Sequence, residues 1–237
     1  MNQLLSDKEK KQLNAQNYAQ LNDEIGLQIY AKILKMCIPE KKKKSIKDII
    51  TYNIQEDEPE KNHKAYYEIL FCEDIFINIL KEFGDKLPQL IVKKSNIHGN
   101  GVFALQDIPK GTLTTFYPVH FIFTDDVVSC ENKQVGVKMF VSPILDENLI
   151  NENFFKVAQD YLLSGSQKEL FKIGGHPQLY EDYQNGHIIN HSKNANSYFQ
   201  LVNGPNNNCN IWMIISTRNI KNGEELTVNY GPRYYDK

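Results

Sequence analysis

The sequence predicts an α+β fold, with helices first and short strands after them. Three observations carry this expectation. Apolar residues recur at helical spacing in the first third, at Tyr18, Leu21, Ile25, Ile29 and Ile33 and again at Ile69, Cys72, Phe76, Ile79 and Phe83. From Leu90 the texture changes to short apolar runs punctuated by Gly, Pro and Asn, as strands joined by turns require. One helical stretch among those strands, "NFFKVAQDYLL", does not make a repeating βαβ unit.

Taken in order, the two helical stripes are separated by "PEKKKKSIKD" and the polar "NIQEDEPEKNH", where Pro59 and an acidic cluster predict an exposed connection. Lys41–Lys44 reads either as a solvated face or as a patch for nuclear import or an acidic partner. Pro88 follows the second stripe, which divides the chain into a helical N-terminal domain over 1–88 and a strand-rich domain over 89–237. Strands are predicted in "LIVKKSNI", "GTLTTFYPVHFIF", "VGVKMFVSP", "NSYFQLV" and "NIWMIISTRNI". The turn residues "NGPNNN", 203–208, predict that the last two pair as a hairpin. The inserted helix is expected to stop near Gly165.

Composition narrows the function classes. A chain of 237 residues with 41% hydrophobic and 24% charged residues can bury a core in one or two domains. Its net charge of −2 lacks the basic excess of a dedicated nucleic-acid binder, so no direct nucleic-acid contact is expected. No apolar run approaches the roughly 18–20 residues of a membrane span. The start, "MNQLLSDKEKKQL", lacks the apolar centre of a secretory signal, which predicts an intracellular protein, nuclear or cytoplasmic. Cys37, Cys72, Cys130 and Cys209 are scattered without C-x-x-C, so neither a zinc site nor a disulfide framework is expected.

The stretch "IHGNGVFALQDIPKGT", 97–112, matches a dinucleotide-binding pattern through Gly99, Gly101 and Ala104. That reading, which would make the chain a nicotinamide-dependent oxidoreductase, needs a helix starting at Gly101. Only Val102 to Ile108 precede the Pro109-Lys110-Gly111 turn, too short for a crossover helix of about 10 residues. Strand, turn, strand fits better, with glycines permitting unusual φ and close backbone approach.

Two further blocks lie far downstream: "NGHIINHSKNANSYF", 185–199, and "KNGEELTVNYG", 221–231. With "GNGVFALQDIPKGTLTTFY" they follow the order of the motifs of SET-domain protein-lysine methyltransferases, and the chain resembles that family over most of 90–231. The resemblance implies small curved sheets, a knot-like C-terminal substructure in which the N-H-S segment passes under a loop, and a variable insert over about 120–180 where peptide specificity lies. It implies S-adenosylmethionine (SAM) as cofactor and a protein lysine as substrate, with histone tails the family's leading class and other proteins equally open.

By the same resemblance, Tyr230 and Tyr117 are catalytic, and Gly99, Asn100, Gly101, Asn190 and His191 hold the cofactor. Tyr198, Phe199, Tyr234 and His187 are assigned to the substrate channel. The tail "GPRYYDK" replaces the family's cysteine-rich flank, so Tyr234 or Tyr235 stacks on adenine or the pair packs back on the core; Tyr235 is assigned to the cofactor. The family's glycine two positions after the channel tyrosine is Val119 here, and Ala195 stands where proline is usual, with Asn196 kept.

Other readings of these residues remain open. His187 and His191 at i, i+4 would face one metal if they lay on a helix, although no third ligand accompanies them. Glu224 and Glu225, adjacent on a strand, would point to opposite faces and hold the segment carrying Tyr230. A SET-type module that binds peptide without catalysis is the competing function.

The residue types suit methyl transfer to an amine. A free lysine has a pKa of ~10.4, so neutralising it at pH 7 costs roughly 4–5 kcal/mol. No residue here is a matched general base; desolvation in an aromatic channel and repulsion by a sulfonium can supply that energy instead. Tyrosine hydroxyls grip the amine and make C–H···O contacts to the methyl group, and tyrosine faces accept a methylated cation. By the resemblance, Phe199 falls near the position that helps set how many methyl groups fit; lacking a hydroxyl that would hold water or crowd the amine, it predicts transfer beyond one methyl group.

Overall fold

The computed structural model describes residues 21–37, 73–124, 138–141, 162–164, 172–176, 178–179, 183–203 and 210–231. Among the described residues, two α-helices precede the strands, α1 (Glu24–Cys37) and α2 (Glu73–Phe83). The strands are β1 (Leu90–Lys94), β2 (Asn100–Ala104), β3 (Leu113–Tyr117), β4 (Phe121–Thr124), β5 (Lys138–Val141), β6 (Leu162–Ser164) and β7 (Lys172–Gly174). A 3-10 turn, Gly186–Ile188, precedes β8 (Asn190–His191), β9 (Ser197–Asn203), β10 (Asn210–Ser216) and β11 (Thr227–Val228). Among the described residues, small sheets, antiparallel but for the β8–β11 pair, and few helices make a mixed α+β fold.

The first helix begins where a cap permits it. The Asp23 carboxylate accepts the Gly26 N–H at 2.8 Å, and its carbonyl takes the Leu27 N–H at 2.9 Å. Just before the cap, the Gly111 carbonyl accepts the Asn22 and Asp23 N–H groups at 3.0 and 3.3 Å, pinning the helix start to the turn ahead of β3. Gly26 allows this close approach, since a methyl group there would lie 3.1 Å from Leu113 Cβ.

The described residues of both helical stripes turn onto one sheet, of order β3-β10-β9. Leu21, Ile29, Ile33, Ile79 and Phe83 share a buried cluster with Leu113, Phe116, Val202, Ile211, Met213 and Ile215. Each such side chain contributes about 1.5–3 kcal/mol relative to exposure. The described helices and this sheet therefore have one core. Tyr18, Ile69 and Cys72 of the predicted stripes, with Pro59 and Lys41–Lys44, lie outside the described residues.

Other pairings follow the sequence unevenly. β1 and β2 form an antiparallel hairpin, Leu90 opposite Ala104 and Lys94 opposite Asn100, which is the strand-turn-strand expected around Gly99. β9 and β10 pair from Asn203↔Asn210 to Ser216↔Ser197. The run "GTLTTFYPVHFIF" is two strands instead of one. Pro118 has no N–H for a ladder, and after it the chain enters a second sheet of order β5-β4-β7-β6. The helix predicted through Leu163 is also corrected at its end: Leu162–Ser164 pair antiparallel with β7, while 153–161 lie outside the described residues. So short an apolar run fits either period, and its cross-strand partners decide. The parallel pair β8–β11, Asn190↔Thr227 and His191↔Val228, carried no sequence signal.

Ile33 is fully buried in α1, so Ile33→Ala is expected to lower unfolding free energy by about 2–5 kcal/mol. Because the core is shared, urea unfolding followed by helical circular dichroism and by fluorescence of Trp212, the single tryptophan, should shift together. Two separated transitions would mean that the helices unfold independently of the sheet.

Candidate active site

The two glycines of the loop are needed for different reasons. Gly99 has φ +50°, a left-handed turn conformation closed by the Ser95 N–H on its carbonyl at 3.0 Å. Gly101 is needed for space: a methyl group there would sit 2.1 Å from Glu225 Oε1 and 3.1 Å from Asn190 Nδ2. The chain enters strand β2 at Asn100, so no helix starts at Gly101 and the dinucleotide reading loses its phosphate site.

Glu225 fills the space that Gly101 leaves. Ser95 Oγ donates to both of its carboxylate oxygens at 2.8 Å, and Asn190 Nδ2 donates to Oε1 at 2.8 Å. The same Asn190 amide reaches the His98 and Asn100 carbonyls, both at 3.0 Å. One buried asparagine thus ties β8 to the glycine loop and to the segment leading into β11. Its neighbour Glu224 points away, as alternation predicts, and the Arg218 hydrogen bond holds its carboxyl below the usual range.

Asn196 completes the clasp. Its Nδ2 donates to the Glu225 carbonyl and its Oδ1 accepts the Thr227 N–H, both at 2.8 Å. The side-chain amide takes the place of a peptide group beside the 225–227 segment, and Asn196 is almost fully buried. Its motif neighbour Ala195 leaves this arrangement intact.

Beyond the clasp, the Tyr230 N–H donates to His191 Nδ1 at 3.0 Å, and the two rings lie 5.3 Å apart. The neutral His191 ring therefore carries its proton on Nε2, and partial burial with nearby Lys193 lowers its pKa. The Tyr230 hydroxyl donates to the Ile189 carbonyl at 2.5 Å, while 39% of the residue stays exposed. Gly99, Asn100, Gly101, Asn190, His191 and Tyr230 are thus brought together along β8.

A second group lies on the sheet. Tyr117, buried at the end of β3, meets His187 edge-to-face at 6.1 Å and Phe199 at 6.0 Å, and Phe199 meets Trp212 at 6.2 Å. Tyr198 is not part of this row. It follows the other strand face and packs against the helix-covered core, where burial pushes its phenol up to about 12. Tyr234 and Tyr235 lie outside the described residues.

His187 sits on the 3-10 turn and His191 on β8, so the i, i+4 metal reading lacks its helix. Among the described residues, no group of three or more His, Cys, Asp or Glu is placed to hold a metal ion. His187 instead donates Nε2–H to the His176 carbonyl at 2.9 Å, and His176 donates its N–H to His120 Nδ1 at 2.8 Å. Sequence reasoning missed His120 and His176, which stand in "PVHF" and "GGHP" with no motif to mark them. Burial lowers the His187 pKa to about 3 and that of His120 to about 4, each with a smaller contribution from a neighbouring histidine.

The SET domain family model matches residues 99–231, more than half of the chain. Among solved structures, one of a Plasmodium falciparum protein described provisionally as a histone methyltransferase is similar at 20% identity and a TM-score of 0.35, covering 62% of this chain and 97% of that one. A humanized mutant of the Chaetomium thermophilum Polycomb Repressive Complex 2, bound to an inhibitor, is similar at 19% identity and a TM-score of 0.42, covering 61% of this chain and 15% of that one. A comparison with curated protein sequences finds no match.

Two outcomes follow from the geometry. Gly101→Ala alone is expected to cost about 1–3 kcal/mol by overpacking. Glu225→Ala alone costs a similar amount, by stranding the Ser95 and Asn190 donors. Together they should cost less than the sum, by about 1 kcal/mol or more, because removing the carboxylate removes the clash. Additive losses in urea melts would place the clash elsewhere.

The second outcome concerns acid. His120 and His187 are held neutral in the fold, whereas the unfolded chain takes up protons below about pH 6.5. Stability should therefore be constant above that pH. It should then fall by roughly 1 kcal/mol per unit for each ring as pH drops toward their folded values. Urea midpoints between pH 7 and pH 5 measure this, and a flat profile would mean that both rings take up protons in the fold as readily as in the unfolded chain.

Proposed function

The chain belongs to the SET-domain family, and on that premise we propose that it is a SAM-dependent protein-lysine N-methyltransferase with histone tails among its candidate substrates. The observation that carries the reading is the clamp on Tyr230. Its main chain is fixed by His191 and its hydroxyl by Ile189, so a tyrosine from the last motif is aimed across the asparagine-histidine segment of the middle one.

When bound, SAM supplies a methyl group activated on a positively charged sulfur. The residues here fit such a group. His191 is neutral, so a cation beside it meets no like charge. The Gly99–Asn100 main chain is exposed, and Asn190 spends its amide hydrogens inward, leaving its carbonyl oxygen as the polar atom to offer. We assign Gly99, Asn100, Gly101, Asn190 and His191 to the cofactor, with Tyr235 stacking on its adenine.

The lysine enters along Tyr117 and Phe199, whose rings disfavour an ammonium by desolvation, with His187 edge-on to Tyr117 at the channel's margin. Tyr230 gives its hydroxyl proton to Ile189, so its oxygen acts as an acceptor toward the amine or the methyl hydrogens. Alignment of nitrogen, carbon and sulfur is then the main task left to the protein. Phe199 leaves room for more than one methyl group.

The β8–β11 pair and its Asn196 bridge support the knot-like closure we assign to the C-terminal part. We divide the chain functionally into 1–88, a helical platform for substrate or partner, and 89–237, the catalytic part with its insert over 120–180.

The test is methyl transfer from isotope-labelled SAM to core histones or whole-cell protein. Wild type should label a protein band, and Tyr230→Phe should lower kcat by about 100-fold or more while SAM affinity changes little. Product mass spectra should extend past a single methyl per lysine. SAM binding without turnover on any acceptor would favour a peptide-binding module, and no SAM binding would overturn the reading.

A further inference from the structure

We propose that His187 is the positioning residue for Tyr117, wedged between the insert and the tyrosine ring so that it sets the direction of that ring. The inference rests on the reading of Tyr117 as a wall of the lysine channel, and deepens it.

The need arises from the chain after Tyr117. β3 ends there, Pro118 stops the ladder, and Val119 replaces the glycine of the family motif, so the backbone has no special freedom with which to aim the ring. Anchoring comes from elsewhere. The His120 N–H donates to the Gly174 carbonyl at 2.9 Å, the His176 N–H to His120 Nδ1 at 2.8 Å, and His187 Nε2–H to the His176 carbonyl at 2.9 Å. These bonds run from the end of β7 to the 3-10 turn, and the His187 ring ends them, 5.9 Å from His120 and 6.1 Å from Tyr117.

His187 has no slack on either side. A methyl group at Gly175 would sit 2.5 Å from His187 Cγ. One at Gly186 would sit 2.8 Å from the Phe116 carbonyl oxygen and 2.9 Å from Tyr117 Cα, so the turn is pressed against β3. A shift of the insert at Gly175 therefore moves His187, and His187 moves Tyr117. The variable part of the domain is coupled to the channel through one imidazole.

The test places 3-fluorotyrosine at position 117 of the full chain and follows its fluorine resonance. Wild type should give one line. His187→Gln retains a donor for the His176 carbonyl but removes the ring, and should shift, broaden or split that line. His187→Phe, which restores a ring, should return a single line. Gly175→Ala, which pushes His187 without touching Tyr117, should reproduce the glutamine effect even if His187→Gln does not fold. An unchanged line in folded His187→Gln and in Gly175→Ala overturns the proposal.

A kinetic arm separates this from the reading beneath it. His187→Gln should lower kcat about 10-fold with the KM for SAM unchanged, and should cost nothing further in a Tyr117→Ala background. A full additional loss there overturns positioning through Tyr117. A wild-type chain without turnover overturns the methyltransferase reading, while the resonance still decides the role of His187.

Discussion

Glu225 lies where three stretches of chain, remote from one another in sequence, must share a few ångströms. Its carboxylate is the acceptor that lets them do so. Ser95 before the glycine loop, Asn190 of β8 and the segment entering β11 all meet there, and the loop can close over it only because Gly101 has no side chain. Leaving a buried donor unmade costs about 1–3 kcal/mol, so a neutral, shape-matched filling of this space would strand several groups at once. The placement of His191, and through it of Tyr230, follows from that arrangement.

The pleat of the sheet β3-β10-β9, with a register shift at Ile214/Ile215, separates a helix-covered face from an aromatic one. One face, with Phe116, Met213 and Ile211, is covered by α1 and α2; the other carries Tyr117, Phe199 and Trp212. Neighbours such as Phe116 and Tyr117, or Tyr198 and Phe199, therefore lie on opposite faces of the sheet. The helices brace a surface they never reach, and the insert approaches the same surface from the far side through its histidines.

Much of this was legible in residue patterns, for physical reasons that differ by element. The helical stripes and the β9–β10 hairpin announce themselves by period and turn chemistry, both local properties. The motif residues around Gly99, Asn190 and Tyr230 were legible as a set, although Asn190 and Gly101 turned out to engage one another through Glu225. What stayed hidden depends on partners distant in sequence. β8 and β11 are two residues each and have no period to detect. Leu162–Ser164 is a strand because β7 lies beside it. The resemblance groups Tyr198 with Phe199, whereas the pleat sends it to the helix side. His120 and His176 acquire significance only through each other and His187.

The parallel pairing of β8 with β11 encloses the whole β9–β10 hairpin. A hairpin of neighbouring strands closes quickly, whereas two-residue strands brought together across it gain too little from their ladder to offset loop closure until Asn196 and Glu225 bond as well. The order of assembly follows: the helix-covered sheet forms first and β11 docks last. Until β11 docks, the β8 edge is an unpaired strand edge on an already consolidated core, open to pairing with another strand before His191 and Tyr230 are brought together.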